Sequence, residues 1–135
     1  MFEMKYVAQE EPGGCMVAAV AMATGHDYAF IREACKDVYK DGIHWIIACD
    51  ILADLGYAWM SRYEHRPRFG MSREKWPCIP WAPAHIVVLE ATQGPHAVAT
   101  DAFGRVFDPW KRERTDLSHP DYGKIHHIEG IFHVG

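Results

Sequence analysis

The chain has 135 residues, of which 49% are hydrophobic and 24% charged, a composition typical of a folded globular protein and not of a disordered one. Its length predicts one domain spanning residues 1–135. The net charge of −4, with lysine and arginine scattered, excludes the basic surface that nucleic-acid binding needs. No apolar run approaches the roughly 18 residues of a membrane span, and the first residues lack a signal-peptide pattern, so we expect a cytoplasmic protein without a membrane partner.

Three helices are predicted between Cys15 and Leu55. Residues 15–24 are apolar on almost every side and stop at Gly25, which predicts a buried helix closed by a glycine in the left-handed conformation. Asp27 is placed to cap a second helix, whose predicted buried face contains Tyr28, Ile31, Ala34, Cys35 and Val38. A third helix is predicted over residues 44–55, and its buried side contains Ile47, Ala48, Ile51, Leu52 and Leu55.

Strands are predicted after Gly56. The segments YAWMSRY, AHIVVLE, HAVATD and RVFDPW are typical of strands, and the turn signals TQGP and DAFG link the last three; IEGIFHV supplies a possible last strand. Residues 66–83 contain four prolines and are predicted to form a connection without regular helix. Short links favour antiparallel pairing, so the pattern predicts an α+β chain with a helical first half and a strand-rich second half.

Cys15 is the first residue of the first predicted helix and follows Gly13 and Gly14 directly. A helix N-terminus favours the thiolate form of a cysteine, because its free N–H groups and its dipole stabilise negative charge. The two glycines would let a substrate backbone approach closely, unless they only shape the turn. Cys15 is therefore a candidate nucleophile, and a packed core cysteine is the alternative interpretation.

The remaining cysteines give no sign of a special role. Cys35 is predicted in the core, Cys49 is expected to pack nearby, and Cys78 lies in the proline-rich connection. The four cysteines form no CxxC pair and no visible disulfide framework. We therefore expect reduced thiols.

A cysteine nucleophile needs a base, and His96 is the best candidate among nine histidines because it opens a predicted strand after a Gly-Pro turn. If DAFG closes a hairpin, antiparallel register brings Asp108 opposite His96 or within about two residues of it. The carboxylate of Asp108 can then orient the imidazole ring.

Acyl chemistry also needs hydrogen-bond donors for the developing oxyanion. The backbone N–H of Cys15 is one candidate, and the side-chain amide of Gln9, six residues upstream, is a second. An exposed glutamine without a function is the alternative for Gln9. No histidine or cysteine spacing matches an HxxxH or CxxC ligand pair, so neither a metal nor a cofactor is predicted. Three large aromatic residues are candidates for a substrate groove or else for the core: Trp45, Trp81 and Trp110.

Taken together, these residues resemble the papain-like cysteine peptidase superfamily, and most of all its small C39-like group, the bacteriocin-processing peptidases of the double-glycine type. The resemblance covers about residues 6–110 and rests on three segments: the glutamine six residues before the cysteine, the strand GPHAV, and the strand GRVFDPW, in which proline follows the aspartate. It implies a papain-like fold in which the cysteine helix packs against an antiparallel sheet. It also implies the roles of the site residues, with Gln9 in the oxyanion hole, Cys15 as nucleophile, His96 as general acid and base, and Asp108 as the orienting carboxylate.

The sequence departs from that group in having Gly14 and Met16 beside the cysteine, and it lacks accompanying transporter domains. We therefore expect a free-standing cysteine hydrolase, intracellular or phage-encoded, that cleaves a peptide or related amide bond in a peptide or protein substrate. An isopeptidase, amidase or acyltransferase with the same triad stays open, as does a catalytically silent module that binds a peptide or protein. The oligomeric state is also open.

Overall fold

The computed structural model describes residues 2–63, 82–110, 112–115, 117 and 119–135, and for residues 62, 63 and 112–114 it describes the main chain alone. Most of the predicted connection over residues 66–83 lies outside the described residues. Cys78 and Trp81 lie outside them as well.

The first helix, α1, spans Cys15–Thr24. Every residue from Met16 to Thr24 is buried, as an apolar pattern without a polar face requires. Gly25 ends the helix with a φ of 76°, and its N–H donates to the carbonyl of Ala21. The prediction for this helix, including its glycine cap, is confirmed.

The second helix, α2, spans Tyr28–Ala34 and is shorter than its apolar pattern predicts. After Ala34 the chain tightens into turns, in which the amide of Val38 bonds to the carbonyl three residues before it. The tighter winding turns Val38 away from the core, and its side chain is 49% exposed. The predicted burial of Ala34 and Val38 is therefore wrong, whereas Tyr28 and Ile31 are buried as expected. Asp27 occupies the N-cap position, but its side chain makes no capping hydrogen bond.

The third helix, α3, spans Trp45–Asp54, within one residue of its predicted bounds. Ala48, Ile51 and Leu52 are buried, and Ile47 and Leu55 pack against the same core. The predicted buried side is therefore confirmed.

Six strands form one sheet among the described residues, with the bounds β1 Tyr57–Tyr63, β2 Ala84–Ala91, β3 Gly94–Asp101, β4 Val106–Asp108, β5 Arg112–Thr115 and β6 Tyr122–His133. Their order across the sheet is β1-β6-β2-β3-β4-β5, and all neighbours are antiparallel. The predicted strands and both hairpin turns are confirmed. Strand β5 was not predicted, and β6 begins at Tyr122 and not at Ile128.

Apolar side chains cover both faces of the sheet. On β2, Ile86 belongs to the cluster that joins the helices to the sheet, whereas Val87 and Leu89 belong to a second cluster. Successive strand residues point to opposite faces, so the second cluster lies on the face away from α1. Helix α1 packs against β3 and β2, which brings its first residue close to the start of β3. Of the described helices, none combines the length and the apolar character that a membrane crossing demands.

Candidate active site

Cys15 begins α1, and Gly14 is the N-cap residue. The first amides of a helix have no carbonyl partner inside it, so they give the helix start a positive character beside the thiol. The Cys15 side chain is only partly buried, whereas the following residues of the helix are core. One helix therefore supplies a core element and, at its first residue, an accessible sulfur.

The two glycines before Cys15 are required by close internal packing. A Cβ on Gly13 would lie 2.1 Å from the main-chain oxygen of Asp41, and a Cβ on Gly14 would lie 2.1 Å from the Tyr28 hydroxyl. Both distances are far shorter than any van der Waals contact. The glycines thus allow the loop before the helix to sit directly on its neighbours, which is a reason for their presence that does not involve a substrate.

His96 and Asp108 meet as the predicted hairpin register requires. Ala99 pairs with Phe107, and the same antiparallel register continued by one residue places Asp108 two positions from a point opposite His96. Such a diagonal pair on one face of a sheet is within reach of long side chains. The distance from His96 Nε2 to Asp108 Oδ1 is 2.6 Å, and both side chains are almost completely buried.

The charges of this pair stabilise each other. Burial by itself would lower the pKa of His96, but the hydrogen bond with Asp108 and the neighbouring Cys15 raise that pKa to about 9. Burial would raise the pKa of Asp108, yet its hydrogen bonds from His96 and Tyr122 hold that pKa below its ordinary value. An imidazolium beside a carboxylate is therefore the favoured charge state near neutral pH.

The Cys15 side chain lines the same cleft as the His96 ring, and it helps to raise the pKa of the imidazole. Because Nε2 faces Asp108, Nδ1 is the ring nitrogen left for the sulfur. A thiol, an imidazole and a carboxylate joined in this order can move a proton from sulfur to nitrogen and hold the resulting charges.

Gln9 lies at the same site, but its amide group is engaged within its own loop. Its Nε2 donates to the carbonyl of Glu11 at 3.0 Å and to the carbonyl of Pro12 at 2.9 Å. Its Oε1 is buried and finds no hydrogen-bond partner among the described residues. The predicted role in an oxyanion hole stays a prediction, and it requires that one of these two bonds be exchanged for a bond to substrate.

Two groups that hold Asp108 were missed by the sequence analysis. The main-chain N–H of Trp110 donates to Oδ1 at 2.8 Å, and the Tyr122 hydroxyl donates to Oδ2 at 2.5 Å. The first contact follows the common pattern of an aspartate bonded to the amide two residues later, so the DPW segment contains a signal for it. Nothing in the sequence indicates the contact of Tyr122 with Asp108, because the order of the strands in the sheet is what brings these two residues together.

An open cleft of about 540 Å³ lies in front of the thiol. Gln9, Cys15 and His96 line it, together with Trp45 and Trp110, two of the three predicted groove aromatics. Its remaining apolar lining consists of Pro12, Met16, Ile43, Val88, Pro95 and Ala97. A cleft of this size and character can hold a short stretch of peptide beside the sulfur.

The other described cysteines have environments that suppress reactivity. Cys15, Cys35 and Cys49 are free thiols. Burial raises the pKa of Cys35, and burial together with nearby Glu129 raises the pKa of Cys49 to about 11. Within the described part of the chain, no group of three or more potential ligands is close enough to hold a metal ion.

The sequence matches no protein-family model, and no curated protein resembles it at a significant level. Solved structures do resemble its fold. A double-glycine-motif protease from an AMS/PCAT transporter, determined in complex with the leader peptide, superposes with a TM-score of 0.65 and 16% sequence identity, covering 96% of this chain and 91% of that one. The peptidase domain of Streptococcus ComA, a bifunctional ABC transporter of a quorum-sensing pathway, superposes with a TM-score of 0.66 and 15% identity, covering 96% and 98%.

Both structures are C39 peptidase domains of ABC transporters. The chain therefore has their α+β papain-like fold, with the cysteine helix packed against an antiparallel sheet, and the predicted fold class is confirmed. At sequence identities of 15 and 16%, the structural similarity establishes the fold alone, so the activity has to be argued from the site.

Proposed function

We propose that this protein is a papain-like cysteine peptidase that hydrolyses a peptide or a related amide bond. The observation that carries the proposal is the buried His96–Asp108 pair, 2.6 Å apart, whose imidazole lines an open cleft together with Cys15. The fold shared with peptidase domains supports the same activity.

In the first step, the Cys15 thiolate, paired with the protonated His96, attacks the carbonyl carbon of the substrate. A carbon–sulfur bond forms, and the electron pair of the carbonyl bond moves to oxygen. Asp108 keeps the imidazole oriented and stabilises its positive charge. Because His96 already favours the protonated state in the folded protein, the ion pair costs little free energy at the start of the reaction.

The oxyanion then needs donors. The Cys15 main-chain N–H lies at the start of α1, where helix amides lack internal partners. Gln9 supplies the second donor when a substrate oxygen replaces the carbonyl of Glu11 or Pro12 as its acceptor. The tetrahedral intermediate collapses, the carbon–nitrogen bond breaks, and His96 returns its proton to the leaving amine.

Hydrolysis of the thioester completes the cycle. His96, now neutral, accepts a proton from water, and the resulting hydroxide attacks the thioester carbon. The carbon–sulfur bond breaks, the carboxylic acid leaves, and the Cys15 thiolate is restored beside the protonated His96. No cofactor takes part in these steps.

The test is cleavage of a defined set of peptides by the purified protein, followed by mass spectrometry of the products. The set contains generic sequences, sequences with a double glycine because one structural neighbour binds such a leader, and an isopeptide-linked pair. We expect cleavage that disappears in Cys15→Ser and persists in Cys49→Ser, a control that also removes one thiol. Cleavage retained by Cys15→Ser would contradict the proposed nucleophile, and cleavage of the isopeptide alone would make the enzyme an isopeptidase.

A binding module without catalysis is the second candidate. The engagement of both amide protons of Gln9 by main-chain carbonyls favours it, since an oxyanion donor is then not free before substrate binds. Under this alternative, peptides bind the cleft equally well in wild type and in Cys15→Ala, and none is cut.

A further inference from the structure

Tyr122, the first residue of β6, reaches the candidate site from the far side of Asp108. Its side chain is buried, and its hydroxyl donates to Asp108 Oδ2. The other carboxylate oxygen, Oδ1, contacts His96 Nε2 and the Trp110 amide. Both carboxylate oxygens thus accept hydrogen bonds, Oδ1 from the imidazole and Oδ2 from the phenol.

We propose that Tyr122 is a positioning residue of this site, which keeps the Asp108 carboxylate ionised and turned so that Oδ1 faces His96. The inference rests on the proposed function for its relevance to catalysis. The contact itself lies wholly within the described residues. No part of the sequence pattern that led to Cys15, His96 and Asp108 includes this tyrosine.

The geometry suits a positioning role because the phenol cannot easily move. The Tyr122 ring belongs to the second apolar cluster, which contains Leu89 and Ile125, and it lies against the His119 ring with centroids 5.4 Å apart. A buried tyrosine normally finds a partner for its hydroxyl, and any acceptor would satisfy it. Here the partner is a buried charged oxygen, and hydrogen bonds to ionised groups are about twice as strong as those between neutral groups.

The effect passes from one group to the next. The Tyr122 hydroxyl stabilises the Asp108 anion, the anion stabilises the His96 imidazolium, and the imidazolium stabilises the Cys15 thiolate. Several titratable groups lie beside this series of contacts. They are Cys15 of α1, His96 of β3, Tyr6 before α1, and His119 beside the Tyr122 ring. Loss of the phenol oxygen therefore affects the Cys15 sulfur through two buried groups, Asp108 and His96.

The test measures alkylation of Cys15 by iodoacetamide as a function of pH, with each cysteine followed by peptide mapping, in wild type, Tyr122→Phe and Tyr6→Phe. Tyr6 is a matched control, since its hydroxyl donates to the main-chain carbonyl of Asp108 and not to the carboxylate. We expect the rise of Cys15 alkylation in Tyr122→Phe to move to higher pH by about half to one unit, with Tyr6→Phe unchanged. A folded Tyr122→Phe whose profile coincides with that of wild type would overturn the inference.

A double substitution tests the route. Once Asp108→Asn has removed the charge, adding Tyr122→Phe should give no further movement of the profile. A further movement of the same size would mean that Tyr122 acts without Asp108 and would overturn the inference.

A third variant covers the case in which Tyr122→Phe fails to fold. Replacing Tyr122 alone with 3-fluorotyrosine keeps the ring almost unchanged and makes the hydroxyl a stronger donor, so the profile should move to lower pH. An unmoved profile would contradict the inference. These measurements need no substrate: if wild-type Cys15 reacts no faster than Cys49, the proposed function fails, whereas normal wild-type selectivity with no Tyr122 effect defeats the positioning role alone.

Discussion

His96 and Asp108 lie side by side with 4% and 0% of their side-chain surface exposed, a position in which charges persist only when they are paired and hydrogen bonded. The hydroxyl of Tyr122 and the amide of Trp110 give the carboxylate its other donors. The pair is a site for proton transfer, and it also contributes to the stability of the fold in a way that depends on pH.

The free energy of unfolding should fall as the solution becomes alkaline. The pKa of His96 is raised from 6.5 to about 9 in the folded protein, so its stabilising contribution is complete below about pH 6.5 and is lost as the pH rises through 9. The pKa of Asp108 is lowered from 3.8, so its contribution is complete above that pH and is lost only in stronger acid. Urea unfolding at about pH 6 and about pH 10 should show a loss of about 2 kcal/mol.

The variant Asp108→Asn separates this effect from that of other titrating groups. It removes the partner that raises the pKa of His96, so its stability should change much less between the same two pH values. Equal pH dependence in wild type and variant would show that the pair does not couple to folding.

The start of α1 is held by the neighbouring helix as well as by its own core face. Glu11 Oε1 accepts hydrogen bonds from the Tyr28 hydroxyl at 2.9 Å and from Arg32 Nε at 2.7 Å, which ties the loop before Cys15 to α2. Gly13 touches the backbone after α2 in the same region. The position of the sulfur therefore depends on the packing of a short loop between two helices.

Substitution of Gly13 should be costly. In Gly13→Ala, the added Cβ would meet the main chain of Asp41 at 2.1 Å, and backbone cannot move aside as a flexible side chain can. We expect a loss of about 3 kcal/mol in the free energy of unfolding, measured by urea denaturation.

Gly123→Ala is the matched control, because its Cβ would lie 3.5 Å from the nearest atom, an ordinary contact. Its stability should stay within about 1 kcal/mol of wild type. If Gly13→Ala were equally stable, the loop would not be packed as described.

Over the whole molecule, the sheet is packed on both faces, and the candidate site lies where the two packed layers meet. Cys15 contacts the helix-side cluster, whereas Leu89, the register partner of His96, belongs to the second cluster together with Tyr122. The site consequently draws its parts from opposite sides of the sheet at the start of β3. Packing on both faces of the sheet therefore supports the site.

Leu89→Ala should therefore destabilise the protein by about 3 kcal/mol, since Leu89 is completely buried and its loss leaves a cavity beneath the sheet. Ile46→Ala removes a similar side chain that is 77% exposed and should change stability by less than about 0.5 kcal/mol. Thermal or urea unfolding of the two variants gives the comparison. Similar stability of both would mean that the second cluster contributes little to the fold.

Elements built from a continuous apolar run were predictable from the sequence, and elements without such a run were not. Helix α1 and strand β2 are almost entirely apolar, and both were predicted within one residue of their bounds. Strand β5 has the sequence RERT, which offers no apolar alternation because it pairs only at the edge of the sheet. The first part of β6, YGKIHH, mixes polar and apolar residues, so no simple pattern marks its start.

Sequence patterns predict the three helices, the two hairpins and the meeting of His96 with Asp108, because that pair depends on the register of one short hairpin. Tertiary packing brings Cys15 and His96 to one cleft, the Tyr122 hydroxyl to Asp108, and Gly13 onto Asp41. These contacts join elements that no single hairpin connects. Their formation depends on which elements become neighbours when α1 packs on the sheet and β6 enters between β1 and β2, and no local pattern specifies that order.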